Sequence, residues 1–415
     1  MESNMKKITK SKGKKNVESK KDSNKNAKIK KINPVFIIAE LSGNHNNDLN
    51  IALKSVEAVA KSGADAIKFQ TYTPECLTLN CKNEYFRIKD GLWKNAYLWD
   101  LYDGAQMPWE WHERLFLLAK SLNLVAFSSP FSVRGVEFLE KFDCPIYKIA
   151  SFEVMHTPLL RAIAATRKPV IISLGVATLD EIDFALEILR DSPSITLLYC
   201  ISQYPAKIKD AHLSNIIKIK KSYQKYNIKV GISDHTLGLS VPIFASICGA
   251  SVIEKHFILD KNLGGVDSAF SLDSNELNMM VKSVREVCEL ASDFETISFK
   301  SNENSNVIES RINFKKNTSE IIESKIIESK SQKKDSNMIE SKNIIESKKP
   351  KKGREFARSL FISKDVKKGE ILTLENIAVV RPSNGLSPLL LDSILGLKFA
   401  QNLKAGTPLK KEHFG

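Results

Sequence analysis

Between residues 36 and 292, short apolar runs alternate with longer stretches whose apolar positions recur every three or four residues. The runs are FIIAELSG (36–43), AIKFQTY (66–72), VAFSSP (125–130), YKIAS (147–151), VIISLG (170–175), ITLLYCI (195–201), VGISDHT (230–236) and VIEKHFIL (252–259). Each is almost continuously apolar, as expected of a strand buried on both faces. The intervening stretches, such as 49–61, 109–121, 179–190 and 211–222, have the period of amphipathic helices. After the eighth run, SNELNMMVKSVREVCELAS (274–292) reads as a helix, with Ser274 as the expected N-cap and Glu276 in its first turn. Eight strand–helix units over roughly 260 residues predict an α/β fold, a (β/α)8 TIM barrel. An open doubly wound sheet fits less well, because strand count and size match barrel closure.

Beyond a long polar interval, 355–415 is expected to be a small, β-rich second domain. It has short apolar runs, turn signals at KKGE and SNG, and no long helical pattern. About 60 residues fold only marginally alone, so docking on another domain or subunit would help it.

Charge refines the domain boundaries. The formal net charge is +14, which by itself suggests an anionic partner. Residues 1–32 hold twelve Lys against three acidic residues, and 300–354 hold fourteen Lys or Arg against eight. These two segments carry the surplus, and the rest of the chain is near neutral. A nucleic-acid partner for the folded part is therefore not expected. Residues 1–32, rich in Lys, Ser and Asn, are expected to be a disordered tail. Residues 299–354 repeat a five-residue unit: VIESR at 307, IIESK at 321, 326 and 344, and MIESK at 338. That period is too short for a solenoid, and the segment reads as an expanded linker. A transient helix with Ile on one side and a Lys-rich tether remain as alternatives. The first large domain then spans 33–298.

Six cysteines without a CxxC pair point to reduced, mostly buried thiols in a cytosolic protein. The N-terminus lacks the apolar core of a signal peptide, and no run of 18 apolar residues suggests a membrane helix.

In a barrel of this kind the C-terminal strand ends form the active-site rim. Here they carry Glu40, Lys68, Gln70, Ser128, Ser129, Lys148, Ser151, Glu153, Ser173, Ser202, Tyr204, Ser233, Asp234, His235, Glu254, Lys255 and His256. Packing alone gives no reason to concentrate polar groups there. His235 and His256 end consecutive strands, which lie about 4.8 Å apart when adjacent, so the two imidazoles could share a metal. The alternative is a pair of histidines bonded to carbonyls inside the barrel. Lys68 and Lys148 lie within strands, where a lone ammonium is costly. Either Glu40 or Glu153 pairs with them, or they hold a bound phosphate or carboxylate assisted by the neighbouring serines. No Gly-rich phosphate loop is present.

The motifs IIAELSGNHNNDLNIA, ADAIKFQTY, YKIAS, GISDHTLG, EKHFILD, GVDSAFSLD and VVRPSNGLSP, in this order, resemble the sialic acid synthase family. The resemblance covers about 34–292 and 356–415. AELSGNHN and GVDSAFS are most similar to its pseudaminic acid synthases. Sialic acid synthases more usually have an AEIG-NH-G-like first strand and a GPDH-like later motif. The C-terminal unit resembles the family's SAF (antifreeze-like) domain. The long insertion and the Lys-rich N-terminus depart from the family pattern.

The resemblance implies condensation of phosphoenolpyruvate with an open-chain N-acetylated amino sugar, giving a nine-carbon 2-keto acid and phosphate. It implies Glu40 as general base and a divalent metal (Mn or Mg, with Co as a further candidate) on His235 and His256. Phosphoenolpyruvate would be held by Lys68, Ser129, Lys148, Ser151, Ser173 and Ser233. The sugar would be contacted by Gln70, Glu153, Tyr204, Asp267 and Arg381. A domain-swapped homodimer is implied, with Arg381 reaching the partner's site. The alternatives are an N-acetylneuraminate or legionaminate synthase of the same family and, in another class, a non-catalytic sugar-binding protein.

Overall fold

A computed structural model describes residues 35–226, 228–291 and 351–415. The expected tail and nearly all of the expected linker lie outside the described residues. Eight parallel strands close into a barrel in sequence order. They are β1 (Phe36–Glu40), β2 (Ala66–Thr71), β3 (Val125–Pro130), β4 (Tyr147–Ile149), β5 (Val170–Ser173), β6 (Ile195–Cys200), β7 (Lys229–Asp234) and β8 (Val252–His256). The helices are α1 (Leu49–Lys61), α2 (Pro74–Leu77), α3 (Leu98–Ala105), α4 (His112–Ser121), α5 (Val133–Glu140), α6 (Thr157–Thr166), α7 (Leu179–Ile188), α8 (Ser214–Ser222), α9 (Ser240–Ile247) and α10 (Ser274–Ala291). The predicted (β/α)8 barrel is the observed one.

Strands are buried on both faces because helices cover the outside and side chains fill the inside. Most expected runs overshoot the strands at their C-terminal ends, where the chain leaves the ladder to build the barrel mouth. β1 and β8 close the barrel with Glu40 opposite His256, and β1 and β2 place Glu40 opposite Lys68. This register puts three polar side chains of the strand ends in one layer.

Local chemistry sets the helix starts. Asp48 caps α1 by accepting from the Asn50 N–H, and Thr178 and Glu181 form a capping box at α7. At α10 the cap is Asp273, not Ser274. Asp273 Oδ1 accepts from Asn275 and Glu276 N–H groups, and Glu276 reaches back to the Asp273 N–H. Ser274 instead donates to the Leu259 carbonyl.

The C-terminal unit contains an antiparallel pair, β9 (Ser359–Ile362) and β10 (Ile377–Val380), over a core that includes Leu360, Ile362, Leu372, Phe399 and Leu409. It docks on the barrel mouth. Phe361 and Val380 pack against Phe86, Ile88 and Leu98, with the Phe86 and Phe361 rings 5.1 Å apart. Arg354 pairs with Glu181 and donates to the Val176 carbonyl. All six cysteines are free; only Cys144 and Cys200 are buried, and the other four are half-buried. Among the described residues no helix is long and apolar enough to cross a membrane.

Candidate active site

The barrel interior holds four charges in contact. Lys68 on β2 lies 3.0 Å from Glu40 and 3.0 Å from Glu254, and Lys148 on β4 donates to Glu254 at 2.9 Å. The lysines are 2 % exposed, so water cannot neutralise them. Of the two carboxylates expected to pair with them, Glu40 does so and Glu153 does not; Glu254 on β8 is the second partner. Burial alone would raise the Glu40 carboxyl, but Lys68 and Lys148, with a hydrogen bond from Gln70, outweigh it and hold Glu40 ionised far below the usual range. Glu254 is likewise lowered: burial opposes ionisation, and Lys148 and Lys68 overcome it. For Lys68 the two carboxylates outweigh burial and raise its pKa. For Lys148 burial prevails, and its pKa falls. Two cations against two anions leave the cluster neutral, so an incoming anion competes with the glutamates for the lysines.

Serine hydroxyls surround this cluster. Ser151, Ser173 and Ser233 line the same cavity as both lysines, and the Ser173 hydroxyl is buried without a partner. Ser151 meets Ser202 at 3.0 Å. Ser129 is buried with an unpartnered hydroxyl and does not line the cavity.

His235 and His256 face each other with ring centroids 5.4 Å apart. His235 Nδ1 is 2.9 Å from the Ile201 carbonyl, a contact that makes Nδ1 the donor and leaves Nε2 a lone pair. His256 Nε2 is 3.3 Å from Glu40, and its Nδ1, 3.7 Å from Asp267, is buried without a hydrogen-bond partner. Burial lowers both imidazoles, His256 to about 4, so both are neutral and able to ligate. Among the described residues no group of three or more His, Cys, Asp or Glu converges on one cation position. The donor set thus fits a cation on two imidazoles, with further coordination left to water or substrate. Behind them, Lys255 donates to Asp234 at 2.6 Å and to the Thr236 carbonyl, tying the ends of β7 and β8 together.

The SGNHN loop meets the GVDSAFSLD loop directly. Ser42 donates to Asp267, and Asn44 donates to the Phe257 carbonyl and to Ser271. Gln70 links this loop to the charged cluster by donating to Glu40 at 3.0 Å and to Ser42 at 3.2 Å. Burial raises the Asp267 carboxyl to about 6. Tyr204 lies against His235 with ring centroids 4.5 Å apart and the rings tilted at 51°.

Arg381 enters from the C-terminal unit and is buried at the mouth. Its guanidinium lies 2.6 Å from Glu153 and 3.2 Å from the Tyr102 hydroxyl, among the rings of Phe152, Tyr102 and Phe131. Arg358, which sequence reasoning did not single out, donates to the same Glu153 oxygen at 3.2 Å. Glu153 therefore stands behind Arg381, outside the cavity lining. Two guanidiniums share one carboxylate, so this end of the cavity keeps a positive surplus. The whole cavity measures roughly 1040 Å³, counting space open to solvent. It contains Glu40, Lys68, Gln70, Lys148, Ser151, Ser173, Tyr204, Ser233, His235, His256, Asp267 and Arg381. It also brings in Trp93, Leu101, Tyr102 and Val266, which the strand-end argument missed because three of them lie in the excursion between β2 and α4.

Family comparison agrees with this geometry. The NeuB family model matches residues 55–296, and the SAF domain model matches 357–415. The chain is 42% identical to the pseudaminic acid synthase of Helicobacter pylori, over 92% of this chain and 98% of that one. It is 32% identical to the N,N'-diacetyllegionaminic acid synthase of Campylobacter jejuni, over 89% of this chain and 97% of that one. Among solved structures, the spore coat polysaccharide biosynthesis protein SpsE of Bacillus subtilis superposes with a TM-score of 0.66 at 26% identity. That match covers 92% of this chain and 95% of the other.

Proposed function

The chain belongs to the NeuB family, and on that premise we propose that it condenses phosphoenolpyruvate with 2,4-diacetamido-2,4,6-trideoxy-L-altrose, the reaction of a pseudaminic acid synthase. The observation that carries this reading is the neutral Lys68–Glu40–Glu254–Lys148 cluster beside two facing, neutral imidazoles. The identity contrast of 42% against 32% favours the pseudaminic over the legionaminic reaction.

The phosphoenolpyruvate anions displace Glu40 and Glu254 from Lys68 and Lys148, and the hydroxyls of Ser151, Ser173 and Ser233 add neutral donors. C3 of phosphoenolpyruvate forms a bond to the sugar's aldehyde carbon, and the aldehyde oxygen gains a proton. Water adds at C2 and gives one proton to Glu40, which returns it to the aldehyde oxygen; the other proton leaves with phosphate as the C2–O bond to it breaks and C2 becomes the ketone. Drawing the lysines toward the substrate anions removes the positive field that depresses Glu40, so phosphoenolpyruvate binding makes that carboxylate a better base. His235 and His256 would hold a divalent cation, Mn or Mg, which when bound supplies Lewis acidity to a carbonyl oxygen. Gln70, Tyr204 and Asp267 border the space left for the sugar, and Arg381, oriented by Glu153, offers its guanidinium to an N-acetyl carbonyl.

The test is phosphate release with each component omitted in turn. Release should require phosphoenolpyruvate, the divalent cation and the sugar together. Release of phosphate without a sugar would refute the condensation.

The division into a tail (1–32), barrel domain (33–298), linker (299–354) and SAF domain (355–415) forms part of the proposal, as does a homodimer in which each SAF domain makes with the partner's barrel the contacts described above within one chain. Each SAF domain would cover either its own barrel mouth or a partner's. Arg381→Ala and Glu40→Ala chains, co-produced, separate the two. A swapped dimer regains activity, because each mixed dimer holds one intact site. Docking within one chain leaves every site defective.

A further inference from the structure

At the mouth the cavity changes character. Leu101 and Ala105 stand one turn apart on α3 and so share a face. A Cβ built on Gly43 would lie 3.2 Å from Ala105 Cβ and 2.6 Å from Val266 Cγ2, so Ala105 and Val266 both pack against Gly43 of the SGNHN loop. Trp93 continues the surface. Its indole N–H donates to the Val266 carbonyl at 3.3 Å, which turns its one polar atom to the backbone and leaves the ring to the cavity. Of the polar side chains near this wall, Ser42 donates to Asp267, Gln70 donates to Glu40 and Ser42, the Tyr102 hydroxyl accepts from Arg381, and Tyr204 meets Trp93 ring to ring at 5.9 Å.

We infer that the wall formed by Trp93, Leu101, Ala105 and Val266 is a specificity surface that seats the C6 methyl group of the sugar and disfavours a hydroxymethyl there. The inference rests on the proposed reaction. The aldehyde carbon must lie at Glu40 and the histidines. A six-carbon chain leaving that point toward the mouth passes Ser42 and Asp267 and ends on this wall. A methyl group finds apolar partners there. A hydroxymethyl loses water and meets no free donor or acceptor on the wall. An apolar pocket rejects an added hydroxyl by about 100-fold at most, which sets the size of the effect.

The test compares kcat/KM for 2,4-diacetamido-2,4,6-trideoxy-L-altrose and for its 6-hydroxy counterpart, using the full chain loaded with Mn. Val266→Thr keeps the shape and adds a hydroxyl to the wall. Leu101→Asn keeps roughly the size and puts a carboxamide on the wall from α3, and Leu101→Met keeps the wall apolar. The preference for the deoxy sugar should fall about tenfold in Val266→Thr and in Leu101→Asn and hold in Leu101→Met, with the KM for phosphoenolpyruvate unchanged throughout. An unchanged preference in both polar variants, with wild type still using the deoxy sugar, would overturn the wall assignment alone. A wild-type preference for N-acetylmannosamine would overturn the reaction reading and this inference with it.

Discussion

Glu254→Gln separates the charges of the buried cluster from their packing. The amide has nearly the shape of the carboxylate, so the barrel layer stays filled. Electrostatically, Lys148 loses its partner at 2.9 Å, and Lys68 keeps only Glu40 at 3.0 Å. Glu254 is 1 % exposed, so water cannot replace the missing charge. Removing one partner of a buried ion pair costs about 3–5 kcal/mol, because the other charge is left uncompensated. Lys148 already has a depressed pKa and can release its proton, which places the loss toward the low end. For a body of about 320 residues, with about 2.1 cal/mol/K of unfolding entropy per residue, each kcal/mol shifts Tm by about 1.5 °C, so the variant should melt about 5 °C lower. Phosphoenolpyruvate supplies the missing negative charge. It should therefore bind Glu254→Gln more tightly and raise its Tm more than that of wild type at the same phosphoenolpyruvate concentration. The assay is a thermal melt of both proteins with and without phosphoenolpyruvate. A Tm within about 2 °C of wild type, or equal ligand shifts in the two proteins, would refute the claim that these lysines are an anion site held shut by carboxylates.

Three further outcomes follow from the same structure. Burial lowers His45 and His112 to about 4 from an ordinary value of 6.5, so between those values the unfolded chain takes up protons the folded one refuses. Stability should then fall as pH drops from about 6.5 to 4, by up to about 1.4 kcal/mol per pH unit for each histidine; urea unfolding at several pH values that gave a flat profile would contradict this. His235→Ala and His256→Ala should each weaken Mn binding at least tenfold by calorimetry with the fold intact, and near-normal Mn affinity in either would remove the two-imidazole site. Deleting 303–350 while keeping a few flexible residues should leave kcat within about twofold, since loop-closure cost grows slowly with length; loss of activity in a folded variant would give the insertion a role in the site or the assembly.

The barrel was legible because its strands are continuous apolar runs and its helices keep a clear period, and both signals survive in a single sequence. The strand-end rule also pointed to Glu40, both lysines and both histidines, since a parallel barrel exposes its C-terminal ends to one space. The pairing within that space was not legible. Glu254 stood in the same run as His256, but which carboxylate meets which lysine depends on the register across β1, β2, β4 and β8. Ser129 and Glu153 were singled out by position, yet the structure places both outside the cavity lining, and Glu153 lies behind Arg381. Helix α3 was missed because it lies in an excursion between β2 and α4 rather than after a strand, and with it went Leu101 and Tyr102. The α10 cap shifted by one residue because Asp273 and Ser274 are both capping types, and only geometry separates them.

The most direct measurement of the central claim is a one-pot competition. The protein receives phosphoenolpyruvate, Mn and equal amounts of 2,4-diacetamido-2,4,6-trideoxy-L-altrose and N-acetylmannosamine, and the nine-carbon keto acids are quantified by mass. The expected result is a product mass equal to the diacetamido sugar plus phosphoenolpyruvate plus water minus phosphoric acid, in large excess over the N-acetylmannosamine product. A dominant N-acetylmannosamine product, or no keto acid from either sugar, would contradict it.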